Sequence, residues 1–188
     1  MKFSLIYIRA RNILYKPVEE WKIIRSEKHS KNALFREYAI PLIALCAMAR
    51  IAGFLIFLAW DGFPLKYVLI NIFVDFFGIF LGTYLSAVLI NEILPNFNTN
   101  KDIIASSKLV IYSLTALYIS IIFANIIIPL SFLFILGLFG IYTYWKGISI
   151  ILKTPYDQKQ GLLIISVLIM IVIFGIIKII LGSFINYF

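Results

Sequence analysis

One long apolar stretch constrains the fold of this chain more than any other feature. Residues 71–86 read NIFVDFFGIFLGTYLS, and five small or polar residues recur there at steps of four, three, four and four: Asn71, Asp75, Gly78, Gly82 and Ser86. On a helix this spacing places all five on one stripe, which is typical of a membrane helix whose small and polar seam faces other helices. An ionised carboxylate is costly to expose to lipid, so we expect Asp75 to point inward and to have a partner.

The composition of the whole chain indicates a membrane protein. Of its 188 residues 62% are hydrophobic, and the mean hydropathy is +0.99. Soluble domains are about 45–50% apolar, so a water-soluble enzyme is excluded. One histidine and one cysteine cannot supply the ligands of a zinc-type metal site, and the sequence contains neither a Ser/His/Asp set nor a phosphate-binding glycine loop. We therefore expect no metal, no cofactor and no enzymatic activity.

Five apolar stretches are long enough to cross a bilayer, which takes ~20 residues of helix. The sequence therefore predicts an all-α, polytopic membrane domain over residues 39–188. Pro129 divides the third stretch from the fourth, because proline interrupts the hydrogen-bond ladder of a helix. The loop before the third stretch offers Thr99 or Asn100 as the cap of a helix beginning near Lys101. The predicted spans cover residues 39–60, 65–94, 107–125, 130–152 and 161–185.

Residues 1–38 form the only sizeable polar segment. The sequence predicts one or two short amphipathic helices there, over residues 3–15 and from Pro17 to about Ser26, lying along the cytoplasmic membrane surface. Two interpretations stay open for this segment: simple membrane anchoring, or a docking platform for a cytoplasmic partner. Tryptophan favours membrane interfaces, so we expect three interfacial anchors, Trp21, Trp60 and Trp145.

The distribution of positive charge predicts the orientation. With the N-terminus inside, fourteen of the seventeen Lys and Arg residues lie on the cytoplasmic side and Lys66 alone lies outside, while Arg50 and Lys178 are within spans. This asymmetry favours a cytoplasmic N-terminus and an outer C-terminus. Arg9 and Arg11 cut the first apolar run too short for a secretory signal peptide, which agrees with that orientation. The net charge of +8 does not indicate nucleic-acid binding, because the positive-inside rule already explains it.

Two charges of opposite sign lie near the predicted midplane. Arg50 and Asp75 are each about ten residues into neighbouring antiparallel spans, so we expect them to pair, with Lys178 as a possible third member and Asn71 nearby. One interpretation is a structural ion pair that fixes the register of two spans. The other is part of a polar path or of a groove for a lipid headgroup.

Small residues mark the faces on which helices approach closely. The Gly-xxx-Gly motif at residues 78–82 favours a contact inside a five-helix protein over a dimer face. The predicted packing residues are Gly78, Gly82 and Ser86 on the second span, and Gly137, Gly140 and Gly147 on the fourth.

Several short motifs resemble the Yip family, the five-span membrane proteins that interact with Ypt/Rab GTPases, in its prokaryotic branch. They are YSLTALY at 112–118, the Pro129 turn, GIYTYWKGISIILKTPYDQKQG at 140–161 and the N-terminal series Pro17, Trp21 and Ile24 followed by Ile-Pro-Leu at 40–42. The resemblance implies five spans, with a cytoplasmic N-terminus and an outer C-terminus. We expect the membrane to be the bacterial inner membrane. The eukaryotic branch binds prenylated Rab GTPases, but its long acidic N-terminal region and its Asp-Leu-Tyr-Gly-Pro motif are absent, so GTPase binding is not carried over to this chain.

Two functional hypotheses follow. The first is a non-enzymatic accessory or scaffold subunit that binds other membrane proteins or lipids through its spans and its basic N-terminus. The second is a small transporter, or a lipid- or ion-handling protein, that uses Arg50, Asp75 and Lys178. Transporters usually show internal repeats or broken helices, and no repeat is evident here, so the first is favoured.

Overall fold

The computed structural model describes residues 3–28, 30–57 and 65–185, which are almost entirely helical and contain no strand. Five helical stretches within this part are long and apolar enough to cross a membrane, and we number them spans 1 to 5. The predicted all-α architecture with five spans is confirmed. The spans are Lys31–Phe57, Leu65–Phe97, Ile103–Ile126, Ser131–Leu152 and Lys159–Ser183.

Two short helices precede the spans, α1 (Phe3–Tyr15) and α2 (Pro17–Ser26). Both are amphipathic as predicted, but their apolar faces do not simply rest on a membrane surface. Five of their side chains are buried in the same core as those of the spans: Ile6, Ala10, Ile13, Trp21 and Ile24. The N-terminal segment is therefore part of the helix bundle and not a separate layer.

Span 1 begins earlier than the sequence indicates. Ser30 caps its first turn, because the hydroxyl of Ser30 accepts from the amide of Ala33 at 3.2 Å. A short helix Lys31–Leu34 and a π-helical turn Phe35–Ala39 then lead into the main helix Ile40–Phe57. The last residues of the predicted polar segment 1–38 therefore belong to span 1. Trp60 and residues 61–64, which connect the first two predicted spans, lie outside the described residues.

Span 2 comprises the α-helix Leu65–Ile93 and a 3-10 turn, Leu94–Phe97, that contains Pro95. The cap of span 3 is Asp102, not Thr99 or Asn100, since its carboxylate accepts from the amides of Ile104 and Ala105. Thr99 instead donates to Thr154 Oγ1 at 3.0 Å and joins this loop to the one after span 4.

Span 3 is the centre of the bundle and span 5 is at its edge. Within the apolar 18-residue stretch of each span, 56% of span 3 is buried inside the chain, against 17% of span 5. Span 3 consists of the helices Ile103–Ser113 and Thr115–Ile126. Span 4 follows almost directly, as a 3-10 stretch Ile128–Leu138, a helix Phe139–Gly147 and a π-helical turn Ile148–Leu152. The helix of span 5 covers Lys159–Ile185.

Candidate functional site: an intramembrane ion pair and an open face on span 5

Arg50 and Asp75 meet between spans 1 and 2. The Nε of Arg50 donates to Oδ2 of Asp75 at 2.5 Å, and the side chains are 35% and 23% exposed. Both residues lie well inside their spans, so the exposed parts face the region that lipid occupies. The structure thus brings together the two charges that the sequence analysis paired.

Asn71 and Lys178 do not join this pair. The amide of Asn71 donates at 2.7 Å to the carbonyl oxygen of Tyr67, one turn earlier in its own helix. Lys178 is exposed, and within the described part of the chain it makes no hydrogen bond or ion pair. The predicted cluster is therefore a two-residue ion pair.

Close contacts fix the position of span 1 relative to span 3. Gly53 lies against the backbone of Asn125, and a methyl group at Gly53 would sit 1.9 Å from the Asn125 carbonyl oxygen. The side chain of Asn125 donates at 3.1 Å to the carbonyl of Cys46, and the Cys46 thiol donates at 3.3 Å to the carbonyl of Tyr118. Because Arg50 lies between Cys46 and Gly53 on the same helix, these contacts also position its guanidinium.

The glycine seam of span 2 faces span 5. A methyl group added at Gly82 would lie 2.5 Å from the ring of Phe174, and one added at Gly78 would lie 3.7 Å from Leu181. Ser86, on the same stripe, is completely buried. The seam is therefore an internal helix contact.

The three glycines of span 4 also allow close packing. A methyl group at Gly140 would lie 2.7 Å from the carbonyl oxygen of Ser113, and one at Gly137 would lie 2.9 Å from Leu117. Gly147 lies against both Leu109 and Trp21. The backbones of spans 3 and 4 thus approach each other closely at Gly137 and Gly140.

A group of charged residues, here named the N-terminal clasp, ties α1 and α2 to span 3. It consists of Arg9, Glu20, Glu27 and Lys108. Arg9 donates to Glu20 Oε1 at 2.5 Å and also pairs with Glu27. Lys108 donates to the backbone carbonyls of Ile24 and Glu27 at 2.8 and 2.6 Å, at the negative end of α2. Burial acts against the charge of Arg9, but the two carboxylates outweigh it, so the pKa of Arg9 is raised.

Trp21 does not anchor the chain to lipid, because it is fully buried. Its indole Nε1 donates at 3.0 Å to the carbonyl of Thr143 on span 4, and its ring meets that of Tyr112 edge to face. Trp145 is half-buried and lies beneath the ammonium of Lys159. The prediction that Trp21 anchors the chain at the membrane interface is wrong, because α2 packs into the protein.

Two buried hydroxyl pairs join span 3 to its neighbours. Tyr38 on span 1 lies 2.9 Å from the hydroxyl of Thr115, and Thr83 on span 2 lies 2.9 Å from the hydroxyl of Tyr118. These pairs are not predicted by the sequence, although Thr115 and Tyr118 belong to the YSLTALY motif. Their partners are distant in sequence, so no local pattern could reveal them.

The geometry defines a class: a five-span helical membrane protein whose described polar side chains mainly join one helix to another. Over the described ranges, no group of three or more His, Cys, Asp or Glu residues is arranged to hold a metal ion. The family model of the Yip1 domain matches residues 11–177, and the chain therefore belongs to the Yip1 domain family. No curated protein and no solved structure matches it.

Proposed function

We propose that this protein is a non-enzymatic accessory or scaffold subunit that holds a transmembrane helix of another membrane protein against span 5. Its setting is the bacterial inner membrane, with the N-terminus in the cytoplasm and the C-terminus outside. The observation that supports the proposal is an open face on span 5 that carries an unneutralised charge.

The residues that form the open face of span 5 recur at steps of three or four, which is the spacing of a helix that packs against another helix. A methyl group added at Gly175 or Gly182 would meet no atom within 4 Å, in contrast to Gly78 and Gly82 on span 2. The face is therefore not occupied by the described part of the chain. Its members are Ile164, Leu168, Ile171, Gly175, Lys178 and Gly182.

Lys178 indicates the chemistry of the occupant. A lysine costs up to ~2.5–3.5 kcal/mol on insertion scales when it is at the centre of a membrane helix, and less toward the ends. Lys178 lies seven residues from the C-terminal end of its helix, and the described residues offer it no carboxylate. A carboxylate on a neighbouring helix at the same depth would remove that cost. The two flanking glycines would let such a helix approach closely. The fitting partner is therefore a transmembrane helix with an Asp or Glu at the depth of Lys178.

In-membrane cross-linking tests this proposal. A photo-reactive amino acid at Ile171, on the open face, should capture one defined membrane protein from native membranes. The same group at Ile173, which is buried, is the matched control and should capture none. Lys178→Glu should abolish the cross-link, and a carboxylate-to-lysine change at the matching position of the captured helix should restore it.

Three results would overturn the proposal. Cross-links to lipid alone would show that Lys178 reaches the headgroups by extending along the helix. Cross-links to a second copy of this chain would show that the face serves self-association. A cross-link that survives Lys178→Glu would show that charge does not select the partner.

The second candidate function, a transporter or a lipid- or ion-handling protein, rests on the partial exposure of Arg50 and Asp75. If the chain conducts ions or moves lipids, Arg50 and Asp75 must exchange partners during transport. Asp75→Asn would then abolish transport while the protein remains folded. Flux of ions or lipids in proteoliposomes, compared between the wild type and this variant, tests it. The absence of Lys178 from the pair makes this candidate the weaker one.

A further inference from the structure

The turn between spans 4 and 5 concentrates positive charge. Lys146, Lys153 and Lys159 lie on or beside it, and the only carboxylate within this segment belongs to Asp157, which is exposed and accepts from the amide of Gln158 at 3.1 Å. Lys159 is buried, with 8% of its surface exposed. This cluster is independent of Lys178 and of the function proposed above.

Two ammonium groups of this cluster, those of Lys159 and Lys146, lie over aromatic rings. The Nζ of Lys159 is 4.0 Å from the centre of the Trp145 ring, and the Nζ of Lys146 is 5.3 Å from that of Tyr142. In the described ranges neither lysine donates a hydrogen bond to an oxygen or forms an ion pair. A cation over a ring is stabilised by the ring's negative face, but the three N–H donors of the ammonium still need acceptors.

Three cations that are buried or partly buried show what Lys159 lacks. Arg9 has two carboxylates, Arg50 has one, and Lys108 has two backbone carbonyls. A buried charge without such acceptors is unfavourable, so the acceptor for Lys159 must come from outside the described chain. Lys146 lies close enough to repel the charge of Lys159, so an acceptor that serves both lysines carries negative charge.

We propose that Lys159 and Lys146, with Lys153 at the rim, bind a phosphate group at the end of spans 4 and 5. The site lies where the helices leave the apolar region, which is the level of lipid phosphates. The N-terminus of the helix of span 5 adds partial positive charge at the same place. The phosphate belongs either to an anionic lipid headgroup or to a free phosphate compound.

The backbone at Lys153 provides a variant that tests the side chain alone. Lys153 has φ of 57°, in the left-handed region where glycine is favoured at the end of a helix. A lysine there is strained relative to glycine. Lys153→Gly should therefore preserve or stabilise the turn while it weakens phosphate binding, which separates the role of the side chain from that of the backbone.

A thermal-shift titration of the full-length protein in detergent tests the proposal. Phosphatidylglycerol should raise the Tm of the wild type, because a ligand that binds the folded state stabilises it, and phosphatidylcholine should not. The variant Lys146→Gln with Lys159→Gln should need at least about tenfold more phosphatidylglycerol for the same shift, which corresponds to ~1.4 kcal/mol. Lys22→Gln, an exposed lysine of α2, is the matched control and should respond like the wild type.

The arms of the experiment distinguish the sources of phosphate. A Tm rise with inorganic phosphate, lost in the double variant, assigns the site to a free phosphate compound, while a response to phosphatidylglycerol alone assigns it to a lipid. Without lipid, the double variant should be at least as stable as the wild type, since it loses unpaired charge. The proposal is overturned if the double variant responds like the wild type, if Lys22→Gln loses the response equally, or if the double variant is destabilised without lipid.

Discussion

The ion pair between Arg50 and Asp75 should make a large and strongly non-additive contribution to stability. Asp75→Asn keeps the size of the side chain but leaves the guanidinium of Arg50, 2.5 Å away, without a counter-charge inside the spans. Removing one member of a buried pair costs ~3–5 kcal/mol. Because Arg50 is 35% exposed and can shift along the helix, we expect a loss near the lower end, about 3 kcal/mol.

A double-mutant cycle isolates the pairwise energy. Arg50→Gln should cost about as much as Asp75→Asn, because it leaves the carboxylate alone in the span. The double variant carries no charge at either position, so its loss should be smaller than the sum of the two single losses by ~1.5–3 kcal/mol. Asp157→Asn, in the exposed turn between spans 4 and 5, is the control and should change stability by less than ~0.5 kcal/mol.

The measurement is the free energy of unfolding in mixed micelles, followed by helical circular dichroism while the fraction of denaturing detergent is raised. Single losses that add within about 0.5 kcal/mol in the double variant would show that the two charges act independently. Such a result would refute the reasoning that joins spans 1 and 2 through this pair.

Three further predictions concern topology, packing and the N-terminal clasp. Reporter fusions at Phe188 and after Gln160 should report opposite sides of the membrane, because one span separates them. Gly147→Ala should lower the free energy of unfolding by ~1–3 kcal/mol, because the added methyl group would lie 2.5 Å from Leu109, whereas Gly175→Ala should be nearly neutral because nothing lies within 4 Å. Arg9→Met should cost ~3–5 kcal/mol in the same unfolding assay, because it leaves a buried carboxylate of the clasp without its cation.

The five spans could be predicted because they depend on local composition. Each span is a long apolar stretch, and the boundaries follow from proline, polar loops and charge. The predicted spans differ from the observed ones at the helix ends, because single capping hydrogen bonds decide where a helix begins. Span 1 begins early because the Ser30 hydroxyl caps it, and span 3 begins at the cap made by Asp102, although Thr99 is of an equally suitable residue type.

The pairing of Arg50 with Asp75 could also be predicted, because depth and direction are set by the antiparallel order of spans 1 and 2. That Lys178 does not join this pair could not be predicted. Depth alone placed Lys178 near Asp75, and the structure does bring the neighbouring Ile177 within 3.9 Å of the methyl position at Gly78. The rotation of span 5 about its axis, which the packing of Phe174 on Gly82 helps to set, turns Lys178 outward.

The N-terminal clasp illustrates what a hydropathy pattern does not reveal. The amphipathic pattern of α1 and α2 predicts an apolar face, but not whether lipid or protein covers it. Here protein covers it, because Gly147 leaves space for the Trp21 ring and Lys108 offers donors to the end of α2. Both partners lie more than eighty residues away in sequence, so their contribution depends on tertiary packing alone.

The buried and intramembrane cations of the described chain differ in whether they have an oxygen acceptor. Arg9, Arg50 and Lys108 have oxygen acceptors inside the chain, whereas Lys159 and Lys178, both on span 5, have none in the described part. The latter two are nineteen residues apart, or about 28 Å along a helix at 1.5 Å per residue. Charges that far apart, with no shared contact, should act additively. Loss of phosphate binding at Lys159 should therefore leave the cross-link that depends on Lys178 intact, and loss of that cross-link should leave phosphate binding unchanged.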